Sequence, residues 1–226
     1  MKIIPSLASA DQVCLKEMVE RLEKLGLKEL HLDIEDGNFV PNITFGLKTI
    51  KDLRKITDML FHIHLMTNNP EKYFYELKSI GVTSVAVHIE AVEYPKWIIN
   101  FGKSLGFKIG VALNPKTLPD VVEYIIDDVD FILIMTSEPD YTGQKFIFPI
   151  FKKISILSQM KKEWQEIWVD GGITLEILPK ILEKKVDVIV LGRALFEDEK
   201  LEDHFGTIKN ILEGSKIKVE ETNKSL

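Results

Sequence analysis

The sequence predicts an α/β protein of the (β/α)8 TIM-barrel class, and three observations carry that reading. Eight short apolar runs recur along 226 residues, starting roughly 20–36 positions apart. Most are continuously apolar, as strands covered on both faces are. The stretches between them are polar with helical period, and strict β-then-α alternation implies a parallel sheet with right-handed crossovers. Eight such units fit a closed barrel better than an open doubly wound sheet, since no run leads into a G-x-G-x-x-G turn.

The first run is 2–5 (KIIP). A helix over 11–25 then sets Val13, Met18, Val19, Leu22 and Leu25 near one stripe and stops at Gly26. Runs 29–34 (ELHLDI) and 60–65 (LFHIHL) come next. Asn69-Pro70 opens a helix that Gly81 ends before run 83–88 (TSVAVH), and Gly106 ends another before 108–113 (KIGVAL). A helix is expected over 117–127, ahead of 130–135 (DFILIM), and another over 174–184, between 166–170 (EIWVD) and 186–191 (VDVIVL). One domain is expected over 1–215, with a polar, frayed tail over 216–226.

Composition narrows the function. Lysine and arginine number 29 against 35 acidic residues, a net charge of −6, so no basic footprint for nucleic acid or a membrane surface is available. The single cysteine, Cys14, excludes an internal disulfide scaffold or a thiolate zinc cluster. It reads as a small buried hydrophobe on the first helix. No apolar run approaches the roughly 20 residues that span a bilayer. MKIIPSLASA carries one lysine and an early proline, unlike a signal peptide. A soluble cytoplasmic protein is the expectation.

In a barrel of this class the active site lies at the C-terminal ends of the strands. Standing there are Ser6, His31 with Asp33, His64, His88 with Glu90, Asn114, Met135, Asp170 before Gly171-Gly172, and Gly192. Of five histidines only His204 falls elsewhere. Residues i and i+2 of a strand share a face, so His31 and Asp33 both enter the mouth. His64 and Asp170 complete a His2Asp2 set suited to Zn, Fe(II), Mn or Co. The plainer alternative is a hydrogen-bonded pair in a polar mouth. Two aspartates facing each other across a flat substrate could also remove a proton on one side and return it on the other. Gly171, Gly172 and Gly192 sit where barrels bind phosphate, or are turn glycines only. His62 shares the face of His64 and reads as support behind that ligand, or as a polar core contact. Trp97, Trp164 and Trp168 read as packing, Trp97 alternatively as a partner surface, and the paired lysines, Lys152-Lys153 among them, as solvated helix faces.

Nine segments, in order, resemble the ribulose-phosphate 3-epimerase family. They are PSLASAD (5–11), HLDIEDGNFVPNITFG (31–46), HIHLM (62–66), HIEA (88–91), GVALNPKT (110–117), IMTSEP (134–139), GQKF (143–146), VDGGI (169–173) and LGRALF (191–196). The resemblance implies a homo-oligomeric barrel, dimer or hexamer, using one divalent metal ion to invert C3 of a small-molecule ketose phosphate through a cis-enediolate. D-Ribulose 5-phosphate, going to D-xylulose 5-phosphate, is the family's default substrate. Carried over by position, His31, Asp33, His64 and Asp170 match the metal ligands, and Asp33 and Asp170 the acid–base pair. Ser6 and His64 match substrate contacts, Met66 and Met135 two methionines of an apolar floor, and Asn42 lies in a stretch expected to line the mouth. Gly143, Gly171, Gly172, Gly192 and Arg193 are the expected substrate and phosphate contacts.

Three departures mark a divergent member. Glu35 stands where the family has a third floor methionine, either beside the reacting carbons or turned aside onto a cation. The loop after the sixth strand, usually P-G-F-G-G-Q, reads Pro139-Asp140-Tyr141-Thr142-Gly143-Gln144, placing Asp140 near a phosphate. Arg193 replaces a small residue; it could grip phosphate, reach Asp140 or Glu35, or face solvent. Glu35 and Asp140 are therefore candidate specificity residues, with another sugar phosphate such as D-allulose 6-phosphate the alternative substrate. A D-x-K-x-x-D decarboxylase array and a strand-end Schiff-base lysine are both missing. A non-catalytic sugar-phosphate-binding barrel is the remaining alternative.

Overall fold

The structure, a computed structural model, describes residues 1–139 and 145–223. Its eight parallel strands are β1 (Lys2–Pro5), β2 (Glu29–Glu35), β3 (Leu60–Met66), β4 (Ser84–His88), β5 (Lys108–Leu113), β6 (Phe131–Met135), β7 (Glu166–Asp170) and β8 (Val188–Leu191). They form one sheet ordered β1-β8-β7-β6-β5-β4-β3-β2. Its free ends meet at a bridge between Ser6 and His31, which curls it into a nearly closed barrel. The fold is the (β/α)8 barrel, and each strand lies within two residues of the run that predicted it.

Outside the strands run α1 (Leu15–Lys24), α2 (Leu47–Arg54), α3 (Phe74–Ile80), α4 (Pro95–Ser104), α5 (Ile150–Met160), α6 (Leu178–Leu182), α7 (Arg193–Phe196) and α8 (Leu201–Asn223). Two cores result. The larger lies between sheet and helices, where Leu30, Leu32, Phe61 and Ile63 meet Val19, Leu22, Ile50 and Leu53. The smaller fills the barrel with Ile4, Ala86, Ala112, Phe131, Leu133, Trp168, Val188 and Val190. Phe131 and Trp168 stack there at 4.5 Å. Apart from Met66, the buried inward positions of β2 and β3 are different in kind: His31, Asp33, Glu35, His62 and His64 are all polar. These two strands therefore alternate polar and apolar, unlike the continuous runs elsewhere.

Local expectations fail in three places. The segment expected as an α-helix over 117–127 is a 3-10 helix, Pro119–Asp128. Its Val121-Val122 and Ile125-Ile126 pairs are β-branched and crowd the preceding turn, while Val122, Ile125 and Ile126 are buried. The first helix starts at Leu15, not at 11. The Asp11 side chain accepts the Val13 N–H at 2.9 Å and its carbonyl accepts the Cys14 N–H at 3.1 Å, making a turn. Val13 is thereby thrown out of the helical stripe, 91% exposed, and Cys14 caps α1 half-buried instead of sitting inside it. Of the tryptophans only Trp168 packs inside; Trp97 and Trp164 are exposed. The last helix, α8, carries the chain across position 215 as far as Asn223.

Phe131→Ala removes a ring buried at the centre of the barrel. We expect it to cost about 3–5 kcal/mol, read by denaturant unfolding of the purified protein. A loss below about 1 kcal/mol would show that the interior repacks around the gap.

Candidate active site and metal centre

Register decides which polar residues meet. β2 and β3 pair Asp33 with His64 and Glu35 with Met66, while β6 and β7 pair Met135 with Asp170. The seam bridge sets Ser6 beside His31. At the C-terminal mouth this gathers His31, Asp33, His64 and Asp170, each offering one ligand atom, all within 4.8 Å of one another. His31 Nε2 and His64 Nδ1 each lie 3.1 Å from Asp33 Oδ1. The same two nitrogens are 3.5 and 3.8 Å from Asp170 Oδ2.

A test of the metal reading lies in His31. The ring is 1% exposed, yet neither of its nitrogens makes a hydrogen bond among the described residues. Burying an imidazole in that way is costly unless another partner takes the lone pair. Two imidazole nitrogens and two carboxylate oxygens at this spacing are a donor set that fits a divalent ion.

Surrounding groups hold the four in place. Ser6 Oγ donates to Asp33 Oδ2 at 2.5 Å, and the Thr44 hydroxyl donates to the Asp33 carbonyl at 2.5 Å. Ser6, expected as a substrate contact, thus has its proton committed to a carboxylate, and its oxygen accepts from the Ala8 N–H. Thr44 belongs to the loop after β2, which returns to the strand through the Gly37 N–H to Asn42 carbonyl bond and an Asp36–Ile43 bridge. Asn42 is only half-buried there. His64 Nε2 lies 2.9 Å from His88 Nε2, whose Nδ1 lies 3.1 Å from Glu90 Oε2. The strand-end positions of His88 and Glu90 are visible in sequence, but their bonding is not, because it requires β4 to lie against β3.

His62 does not support His64. Its ring nitrogens bond Ser84 Oγ and Glu29 Oε2, each at 2.7 Å, and its ring meets Trp168 edge-on. It shares a face with His64 but sits one layer lower, toward the opposite mouth, where Lys2 Nζ also reaches Glu29 at 2.8 Å. Lys153 departs from its expected solvated face: it is 8% exposed and donates to the Asn114 and Pro115 carbonyls at 2.8 Å each.

Among the remaining predicted contacts, Met66 and Met135 are buried beside the carboxylates with which they pair across the sheet. Gly171 has φ of +106°, and a Cβ there would stand 2.4 Å from Ser137 Oγ, so this position admits no side chain. Gly172 is also left-handed, at φ of +63°. A Cβ at Gly192 would stand 2.3 Å from Ser9 Oγ; the loop after β1 packs onto it. Arg193 is exposed on the first turn of α7. Asp140 and Gly143 lie outside the described residues.

Similarity to known proteins decides the family. The model of the ribulose-phosphate 3 epimerase family matches residues 2–196. The ribulose-phosphate 3-epimerase of Methanocaldococcus jannaschii is 39% identical over 218 residues, covering 95% of this chain and 91% of that protein. That of Bacillus subtilis is 36% identical, covering 87% and 92%. The chain belongs to the ribulose-phosphate 3-epimerase family. It is accordingly an epimerase. Solved structures extend the fold beyond the family: a mutant tryptophan synthase alpha-subunit from Pyrococcus furiosus superposes with a TM-score of 0.68 at 15% identity, covering 93% of this chain and 97% of that one. No helix among the described residues is long and apolar enough to cross a membrane.

Electrostatics separate the epimerase's carboxyl groups. Burial alone would raise Asp33, but the His31 and His64 rings overcome it and hold Asp33 well below the usual carboxylate range. Burial alone would lower His64, and the Asp170 and Asp33 carboxylates overcome that, lifting it to about 9. Glu35 goes the other way. Burial first, then the Asp33 charge, raise it to about 7. The charges that act on it are those of Asp33, His64 and Asp170, so it lies against the site.

A carboxyl whose folded pKa is about 7, against an ordinary 4.5, binds a proton more readily folded than unfolded. Its penalty is absent below pH 4.5, grows to about pH 7 and is constant above. Glu35→Gln in chelator-treated protein should therefore be more stable than wild type at pH 8 by up to roughly 3 kcal/mol, an advantage that fades toward pH 5. Denaturant melts at the two pH values measure it. A pH-independent difference would mean that Glu35 is already ionised and solvated in the folded protein.

Proposed function

We propose that this epimerase inverts C3 of a ketose phosphate, D-ribulose 5-phosphate to D-xylulose 5-phosphate, with one divalent ion held by His31, Asp33, His64 and Asp170. The observation that carries the reading is the pair of carboxylates brought from β2 and β7 to the same two imidazoles. When bound, the ion would act as a Lewis acid that stabilises negative charge on the two oxygens of an enediolate.

The proton transfers belong to the chain. One aspartate removes the C3 proton from one face of the substrate and the other returns a proton to the opposite face. Asp33 is the base in this reading: it is ionised, and Ser6 fixes the orientation of its second oxygen. Asp170 is the partner on the far side. Met66 and Met135 supply the apolar floor that keeps water from the planar intermediate. Gly171, Gly172, Gly192 and Arg193, with Gly143, are the proposed phosphate contacts. In Gly171 and Gly172 the left-handed backbone fits N–H groups turned toward an anion. Glu35 favours a second reading, a six-carbon substrate such as D-allulose 6-phosphate, because a polar group in the floor can meet an added hydroxyl. The protein would work as a homo-oligomer in the cytoplasm.

The deciding experiment follows loss of the C3–H signal in D2O, by NMR, with metal-loaded protein and each of the two sugars in turn. Exchange is expected with ribulose 5-phosphate; exchange with allulose 6-phosphate alone selects the second reading. Asp33→Asn and Asp170→Asn should each lower turnover at least about a hundredfold. Near-wild-type turnover in either variant would sink the two-aspartate mechanism. Arg193→Ser should alter substrate preference more than metal content; unchanged kinetics on both sugars would remove Arg193 from the phosphate contacts.

A further inference from the structure

We propose that Glu90 and His88 are positioning residues for His64, fixing which of its nitrogens faces the metal and tying that nitrogen's place to the loop after β5. The inference rests on the metal reading above. It follows from donor and acceptor counting along a short chain of groups. The Glu90 carboxylate can only accept, so the His88 Nδ1–H must donate to it, at 3.1 Å to Oε2. A neutral His88 ring then presents a lone pair at Nε2. The 2.9 Å contact between the two Nε2 atoms accordingly runs from a His64 N–H to that lone pair. His64 Nδ1 is the atom left facing Asp33 Oδ1 and Asp170 Oδ2. An imidazole that ligates through Nδ1 carries its proton on Nε2, so the chain selects the tautomer that ligation needs.

The rest of the surroundings hold this chain rigid. His64 and His88 are 0% and 1% exposed, and their rings stack with centroids 5.0 Å apart. Phe39, from the loop after β2, covers the His88 ring at 4.7 Å. Glu90 Oε1 accepts from the Asn114 N–H at 2.8 Å and from the Thr117 hydroxyl. Lys153 then clamps the Asn114 and Pro115 carbonyls from α5. Glu90 thus spends one oxygen on the histidine and the other on the loop. A residue needed only to fasten that loop would not require the imidazole between itself and His64.

The test is metal affinity, measured by titrating chelator-treated protein with Co(II) against a chromophoric competitor. Glu90→Gln is expected to weaken Co(II) binding ten- to hundredfold and to shift the visible Co(II) spectrum, while the melting temperature of the metal-free protein moves by only a few degrees. Glu90→Asp should recover part of the affinity. Affinity within twofold of wild type, or a loss matched by an equal collapse of the metal-free fold, would overturn the proposal. A second measurement needs no variant: long-range 1H–15N NMR of wild-type protein should find His88 protonated at Nδ1 and bare at Nε2, and a proton on His88 Nε2 would overturn it. Wild-type protein that binds no stoichiometric Co(II) would overturn the metal reading and this inference together. Wild-type binding with an indifferent Glu90→Gln would overturn this inference alone.

Discussion

The seam between β1 and β2 is the constraint on which the site depends. Seven strand pairs are held by continuous registers, but the eighth contact is a single bridge, Ser6 to His31. A side-chain bond reinforces it at the same height, from Ser6 Oγ to Asp33 Oδ2. Both residues of β2 that complete the closure are also members of the His2Asp2 group. Weakening the seam would therefore displace candidate ligand atoms, and moving those residues would loosen the seam. Closing the barrel and building the site are the same act of folding at this point.

The price of that arrangement is a barrel interior that is half unfavourable to bury. Around β6, β7 and β8 the interior is filled by Phe131, Leu133, Trp168, Val188 and Val190, and needs no further explanation than apolar burial. Along β2 and β3 five polar side chains take those places. Desolvation opposes ionising Asp33, Glu35, His62 and His64, and pairing decides each outcome separately. Asp33 gains two imidazoles and stays ionised; Glu35 gains a neighbouring carboxylate and its pKa rises to about 7. Two carboxyl groups two residues apart on one strand thus hold opposite protonation preferences. Their environments differ by the imidazoles each reaches, which is a matter of height in the barrel.

Height also explains what the sequence could and could not reveal. Strands were legible because continuous apolar runs have few other uses at that length, and helices because their stripes and glycine stops are local. His31, Asp33, His64 and Asp170 were legible as strand-end polar residues on a fold whose mouth is known. His62 shared every one of those signals with His64 and still bonds Glu29 and Ser84 in the layer below, because period two fixes the face and says nothing of the layer. Val13 fitted a helical stripe until the Asp11 turn pushed the helix start to Leu15. Lys153 looked like half of a solvated pair, yet it is the end of its helix face that reaches the loop after β5. In each case the missing information was a partner far away in sequence.

The same reasoning bears on where divergence can be tolerated. Of the four grouped residues that match the family motifs, Asp33 and His64 take hydrogen-bond partners from other strands and loops, and His31 and Asp170 close around them. Changing one leaves several buried polar atoms without partners, each at a cost of about 1–3 kcal/mol. Glu35 departs from the pattern and makes no ion pair among the described residues; what it perturbs is charge, not a bonded network. Arg193 departs from it on an exposed turn of α7. Departures have thus gathered where the fold demands least, at the floor and rim of the mouth, while the bonded centre is left intact. On the proposed function, a barrel altered in that way would retain its means of moving a proton and change the surfaces that meet the rest of the sugar.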